Sequence, residues 1–93
     1  MDSVWVFNKN SSSYSGGIFS QLEKAEHWVS ENQLSGMLTK YPLDQGVWDW
    51  ACDNDMHNLK PEKAAEKKQN PNFIAGFTTA SQEHYHYENG VRK

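Results

Sequence analysis

The run Glu83-His84-Tyr85-His86-Tyr87-Glu88 alternates ionisable and aromatic side chains. On an extended strand, successive side chains point to opposite faces, so His84, His86 and Glu88 share one face and Tyr85 and Tyr87 the other. Two imidazoles at i, i+2 on a strand are spaced to chelate one Zn²⁺ or Cu²⁺, with Glu88 as a third ligand. A structural zinc site takes four ligands, and a catalytic one takes three plus water. The other donors, His27, His57 and the single thiol Cys52, are not placed nearby by anything in the sequence. The plainer account is a sheet face with tyrosines packed inward and the polar residues at solvent or an interface.

A second constellation is Asp44, Asp49, Asp53 and Asp55, in a stretch with no Lys or Arg between Lys40 and Lys60. On a helix, Asp49 and Asp53 stand at i, i+4 and repel each other by about 0.2–0.5 kcal/mol. A patch kept despite that repulsion suits a cation or a basic partner drawn in by charge. Trp48 and Trp50 sit beside it, and tryptophan is a favoured interface anchor. The plainer account is a solvated acidic face with the tryptophans in the core. A paired-carboxylate hydrolase would also need one acid with a raised pKa, which spacing does not reveal.

The remaining reactive side chains carry less. His27 stands between Glu23 and Glu31 at helical i, i+4 spacing and reads as surface charge pairing. Cys52 has no His or Lys neighbour to activate it and reads as an inert buried thiol. Gly16-Gly17 lacks the spacing of a phosphate loop. Ser20, Ser35 and Ser81 lack the flanking pattern of a hydrolase nucleophile.

Secondary structure must position these groups. Val4-Trp5-Val6-Phe7 is β-prone. Asn8 to Gly17 is rich in Ser, Asn and Gly and reads as a loop or wide hairpin connection. Tyr14, Ile18 and Phe19 fit a second short strand. Ser20-Gln21-Leu22-Glu23 has the form of a capping box. Leu22, Ala25, Trp28 and Val29 then make an amphipathic stripe, with Glu23, Glu26, His27 and Glu31 on the opposite face. Leu34 to Tyr41 reads as a strand ended by Pro42. Asp44 is the expected N-cap of a second helix carrying Val47, Trp48, Ala51 and Cys52 on one side. Residues 60–70 form an exposed, charged, linker-like insert in which Pro61 can start a short helix. Phe73, Ile74 and Phe77 fit one helical turn. The alternating run of residues 82–88 is the final strand, and Asn89-Gly90 a turn.

Length and composition bound the rest. Ninety-three residues make one domain, 1–93. Of these, 37% are hydrophobic, with four Trp, four Tyr and four Phe. An aromatic-rich chain of net charge −3 is a folded domain rather than a disordered one. No apolar run approaches the roughly 20 residues of a membrane span. The start Met1-Asp2-Ser3 is unlike the basic opening of a signal peptide. A single cysteine suits a reducing cytoplasm. The mildly acidic balance argues against nucleic acid as partner.

Five segments together resemble a small bacterial domain-of-unknown-function family. They are Val4–Phe7, the Gly-x-Phe-Ser-x-Leu-Glu-Lys-Ala-Glu segment Gly17–Glu26, and the Leu-Ser-Gly-x-Leu-Thr-x-Tyr-Pro-Leu-Asp segment Leu34–Asp44. Trp48-Asp49-Trp50-Ala51 and the terminal Ser-Gln-Glu-His-Tyr-His-Tyr-Glu-Asn-Gly, Ser81–Gly90, complete the set. The resemblance implies a compact α+β domain and carries over no catalytic residues. Small stand-alone bacterial proteins of this kind are frequently encoded beside polymorphic or contact-dependent toxins, as immunity proteins.

The expected fold is therefore α+β: a small antiparallel or mixed sheet packed against one long amphipathic helix, plus a shorter second helix. The expected function is non-enzymatic and cofactor-free, namely neutralisation of a basic, nuclease-like toxin by protein–protein binding. Asp44, Asp49, Asp53, Asp55, Trp48 and Trp50 would carry it, with His84, Tyr85, His86 and Glu88 as a second contact edge. The alternative is a small metal- or ligand-binding protein using His84, His86 and Glu88.

Overall fold

The computed structural model describes residues 2–93. Chain contacts group them into two compact units, Met1–Leu43 with Gln82–Lys93, and Asp44–Ser81. The first unit holds β1 (Ser3–Lys9), β2 (Ser15–Phe19), α1 (Leu22–Glu31), β3 (Gly36–Pro42), β4 (His84–Glu88) and β5 (Val91–Arg92). Its five strands form one sheet in the order β2-β1-β3-β4-β5, with every pair antiparallel.

Period-2 alternation sends Trp5 and Phe7 of β1, Leu38 of β3 and Tyr87 of β4 to one face, where they are buried together with Ala25 and Val29 of α1. Phe19, Leu22, Trp28, Leu34 and Tyr85 pack around them. Trp28 meets Phe7 edge-on at 5.5 Å between centroids, a favoured aromatic geometry. Gly36 is required where β3 begins its pairing with β1 opposite Lys9, because a Cβ there would lie 2.3 Å from the Asn8 carbonyl oxygen and 2.6 Å from the Phe7 ring. Asn89 and Gly90 both take positive φ, 52° and 84°, as a two-residue hairpin loop between β4 and β5 demands.

The second unit holds α2 (Val47–Asp53), α3 (Pro61–Lys67) and α4 (Pro71–Ala75). Its centre is Trp48, 2% exposed, ringed by His57, Phe73 and Phe77 at centroid distances of 5.2, 5.3 and 5.0 Å. Ala51, one turn on, is also buried. Pro61 opens α3, which buries no residue. The Asn70 side chain caps α4 by accepting from the Phe73 N–H at 3.2 Å.

The α+β class and the antiparallel sheet agree with the sequence reading, but the long helix does not. The longest helix, α1, has 10 residues, and the others have 7, 7 and 5. The capping box is also absent. The N-cap of α1 is Gln21, which makes no side-chain cap bond. Helix geometry starting one residue later leaves Ser20 outside and moves Glu23 out of the third helical position that a capping box requires. Asp44 likewise does not cap α2. Its φ of 61° places it in a left-handed turn, and Gly46 is the N-cap.

Candidate functional site

The β4 run behaves as its alternation predicts, up to a point. His84 and His86 lie opposite Thr39 and Met37 of β3, on the sheet face away from the core cluster. Their rings meet edge-on at 5.6 Å. The His84 Nδ1 is 2.7 Å from the Gln82 carbonyl oxygen, so it carries the proton and donates. Glu88 does not complete a ligand set. Lys93 holds it at 2.8 Å, and the hydrogen bond and charge of Lys93 keep its carboxyl below the usual range. Among the described residues, no three His, Cys, Asp or Glu side chains are grouped to hold a metal ion. His27 pairs with Glu31 at 3.2 Å, and His57 accepts the Leu59 N–H on Nδ1 at 3.0 Å.

The opposite face of β4 carries a polar lock that local sequence does not announce. Tyr87 is buried, and its hydroxyl donates to Glu26 Oε2 on α1 at 2.5 Å. Arg92 Nε on β5 donates to the same oxygen at 2.9 Å, and Arg92 Nη2 joins it. The Arg92 guanidinium also lies 3.9 Å over the Tyr85 ring. Tyr85 stacks on Trp5 at 5.8 Å and donates its hydroxyl to Glu83. Burial acts to raise the Glu26 pKa, but the hydrogen bonds from Tyr87 and Arg92 and the Arg92 charge outweigh it and hold the carboxyl below its ordinary value. Burial, then the bond to Glu26, pushes Tyr87 up to about 12. Glu26 reads as a solvent-face residue in the sequence. The available signal was on Tyr87, whose inward hydroxyl needs a partner once its ring is buried.

The aspartates all belong to the second unit. Asp44, Asp49, Asp53 and Asp55 are exposed. Asp53 accepts from the Gln45 side-chain amide at 2.9 Å. Among the described residues, none of the four is in an ion pair with Lys or Arg. The two neighbouring tryptophans separate as helix geometry requires, because consecutive positions point about 100° apart and i, i+2 positions about 200°. Trp48 is inside, so it is a core residue of its unit and not a surface contact. Trp50 is half-buried and borders the aspartates in sequence. The two groups of candidate residues thus fall in different units, Asp44 to Asp55 in one and His84 to Glu88 in the other.

The first unit also carries an open cleft of about 520 Å³ lined by Phe7, Tyr14, Trp28, Leu34 and neighbouring polar residues. Its ionisable lining groups are Lys9 and Tyr14, with no carboxylate, imidazole or thiol among the described residues that line it.

The chain is thus an α+β protein built on an antiparallel sheet, with four exposed aspartates in its helical unit. Residues 4–93 match the domain of unknown function DUF7710, and the chain belongs to that family. No curated protein and no solved structure matches it. No helix among the described residues is long and apolar enough to cross a membrane.

Proposed function

We propose that this chain is a non-catalytic binding protein that recognises a basic protein partner through the acidic surface of Asp44–Ser81, and that the partner is a cognate nuclease-like toxin which it neutralises in the reducing cytoplasm. The observation that carries the reading is the set of exposed carboxylates at Asp44, Asp49, Asp53 and Asp55, with no basic side chain paired to them among the described residues. Carboxylates without a basic partner in the fold leave their charge uncompensated for an incoming cation and speed encounter with a positive surface. Half-buried Trp50 supplies apolar area beside them.

Co-expression with the toxin domain encoded next to this gene tests the proposal. The expected result is protection of the host and a complex whose association rate falls with added salt. Asp49→Asn combined with Asp53→Asn should slow association while leaving the fold intact. If the neighbouring toxin domain is neither bound nor neutralised, the proposal fails.

A further inference from the structure

We infer that the β2 edge of the sheet is a self-association surface on which a second copy of this chain adds its own β2 strand, antiparallel, around a two-fold axis. β2 is the outermost strand on its side, so alternate backbone N–H and C=O groups along Ser15–Phe19 face outward with no strand to pair them. Proteins normally defend such an edge with lysine, proline or inward charge. Here none of these three is present, since the thirteen residues Asn10–Leu22 contain no proline and no charged side chain in a chain that is 23% charged, and the register irregularity opposite Ser15 guards only one end. Two large apolar side chains stand out at the same edge, Ile18 at 67% exposed and Tyr14 at 84%.

The other edge of the sheet is built differently. β5 is only two residues long, Arg92 is tied to Glu26, and Lys93 to Glu88. It is short and charged, in the manner of an edge that resists pairing. The contrast marks β2 as the edge left open.

A second copy is the occupant because β2 is complementary to itself. The pairing with β1 runs regularly through Gly17, Ile18 and Phe19 and shifts register only beyond Gly17, where Asn8 meets Ser15. An antiparallel two-fold through Ile18 uses only that regular part. It sets Ile18 against Ile18 of the partner subunit on one face. On the other, each Phe19 ring already covers Gly17 of its own strand, 2.8 Å from where a Cβ would stand, so the apolar match across the two-fold rests on Ile18. The net charge of −3 would oppose approach of two copies elsewhere, but this edge contributes nothing to that repulsion. One short strand pair with two apolar side chains per copy is smaller than the roughly 800 Å² per partner of a standard interface, so the dimer is weak and dissociates on dilution.

Sedimentation of the full chain over a dilution series tests this, with Ile18→Lys and Val91→Lys as paired variants. Both positions are exposed edge-strand sites, so neither change should disturb folding. The wild-type mass should move from monomer towards dimer with concentration, Ile18→Lys should weaken association about tenfold or more, and Val91→Lys should leave it unchanged. Amide protection at Gly17–Phe19 should rise with concentration in the wild type. A monomer at every concentration, or a dimer that survives Ile18→Lys, overturns the inference.

Discussion

In the unit formed by Met1–Leu43 and Gln82–Lys93, stability is spread over a sheet. β1 pairs along its length with β3, and Trp5, Phe7, Leu38 and Tyr87 share one buried face under Ala25 and Val29. In Asp44–Ser81 there is no strand among the described residues, and His57, Phe73 of α4 and Phe77 gather around the indole of Trp48 on α2. The helical unit rests on buried Trp48 and Ala51, with Phe73 and Phe77 half-buried against the indole, and neither α3 nor α4 adds a buried residue. The contrast also separates roles: the sheet unit spends its charges internally, on Glu26–Arg92 and Glu88–Lys93, whereas the helical unit leaves its aspartates free of such pairs.

The largest effects should come from the two cores. Trp48→Ala should cost about 3–5 kcal/mol and Leu38→Ala about 2–5 kcal/mol. Hydrogen exchange read by segment distinguishes them. Trp48→Ala should strip protection from residues 44–81 and spare the sheet, and Leu38→Ala should expose the sheet amides. Equal loss in both units after Trp48→Ala would break the comparison and make the chain one cooperative unit.

A smaller effect should follow from the Glu26–Tyr87–Arg92 lock. Tyr87→Phe removes a buried bond to a charged acceptor and should cost about 1–2 kcal/mol. The pH dependence has two limbs of opposite origin. The folded-state pKa of Glu26 is below its unfolded value, so its contribution is present above that unfolded value and is lost as pH falls through the folded one. Tyr87 is shifted up, so its contribution is full below the ordinary tyrosine value and is lost as pH rises towards about 12. Melting temperature against pH should therefore fall at both ends, and Glu26→Gln should flatten the acid limb. An unchanged acid limb in Glu26→Gln would mean that other carboxylates set it.

The smallest effect sharpens the charge contrast. Asp49 lies in the first turn of α2, where the helix dipole favours it, and one turn before Asp53, which repels it. These terms nearly cancel, so Asp49→Asn should change stability by less than about 0.5 kcal/mol in chemical denaturation. A larger loss would show that the carboxylate serves the fold and weaken its assignment to partner recognition.

The residues themselves determined the local elements. The alternation in β1 and β4 placed Trp5 and Phe7 inside and His84 and His86 on the far face. The stripe Leu22, Ala25, Trp28, Val29 named the core side of α1, and Asn89-Gly90 announced the last turn. These follow from the fixed periods of strand and helix and from the φ > 0 that few residues accept. Helix boundaries escaped, because Ser20 and Asp44 are good caps whose use depends on where the chain actually turns. Side-chain partnerships between distant segments escaped entirely. Glu26 meets Tyr87 and Arg92 across more than sixty residues, and Lys93 draws Glu88 away from the two histidines. Trp48 and Trp50 are alike in type and neighbourhood, yet only tertiary packing against His57, Phe73 and Phe77 decided which one is buried. Such choices depend on what lies across the fold, which no local period encodes.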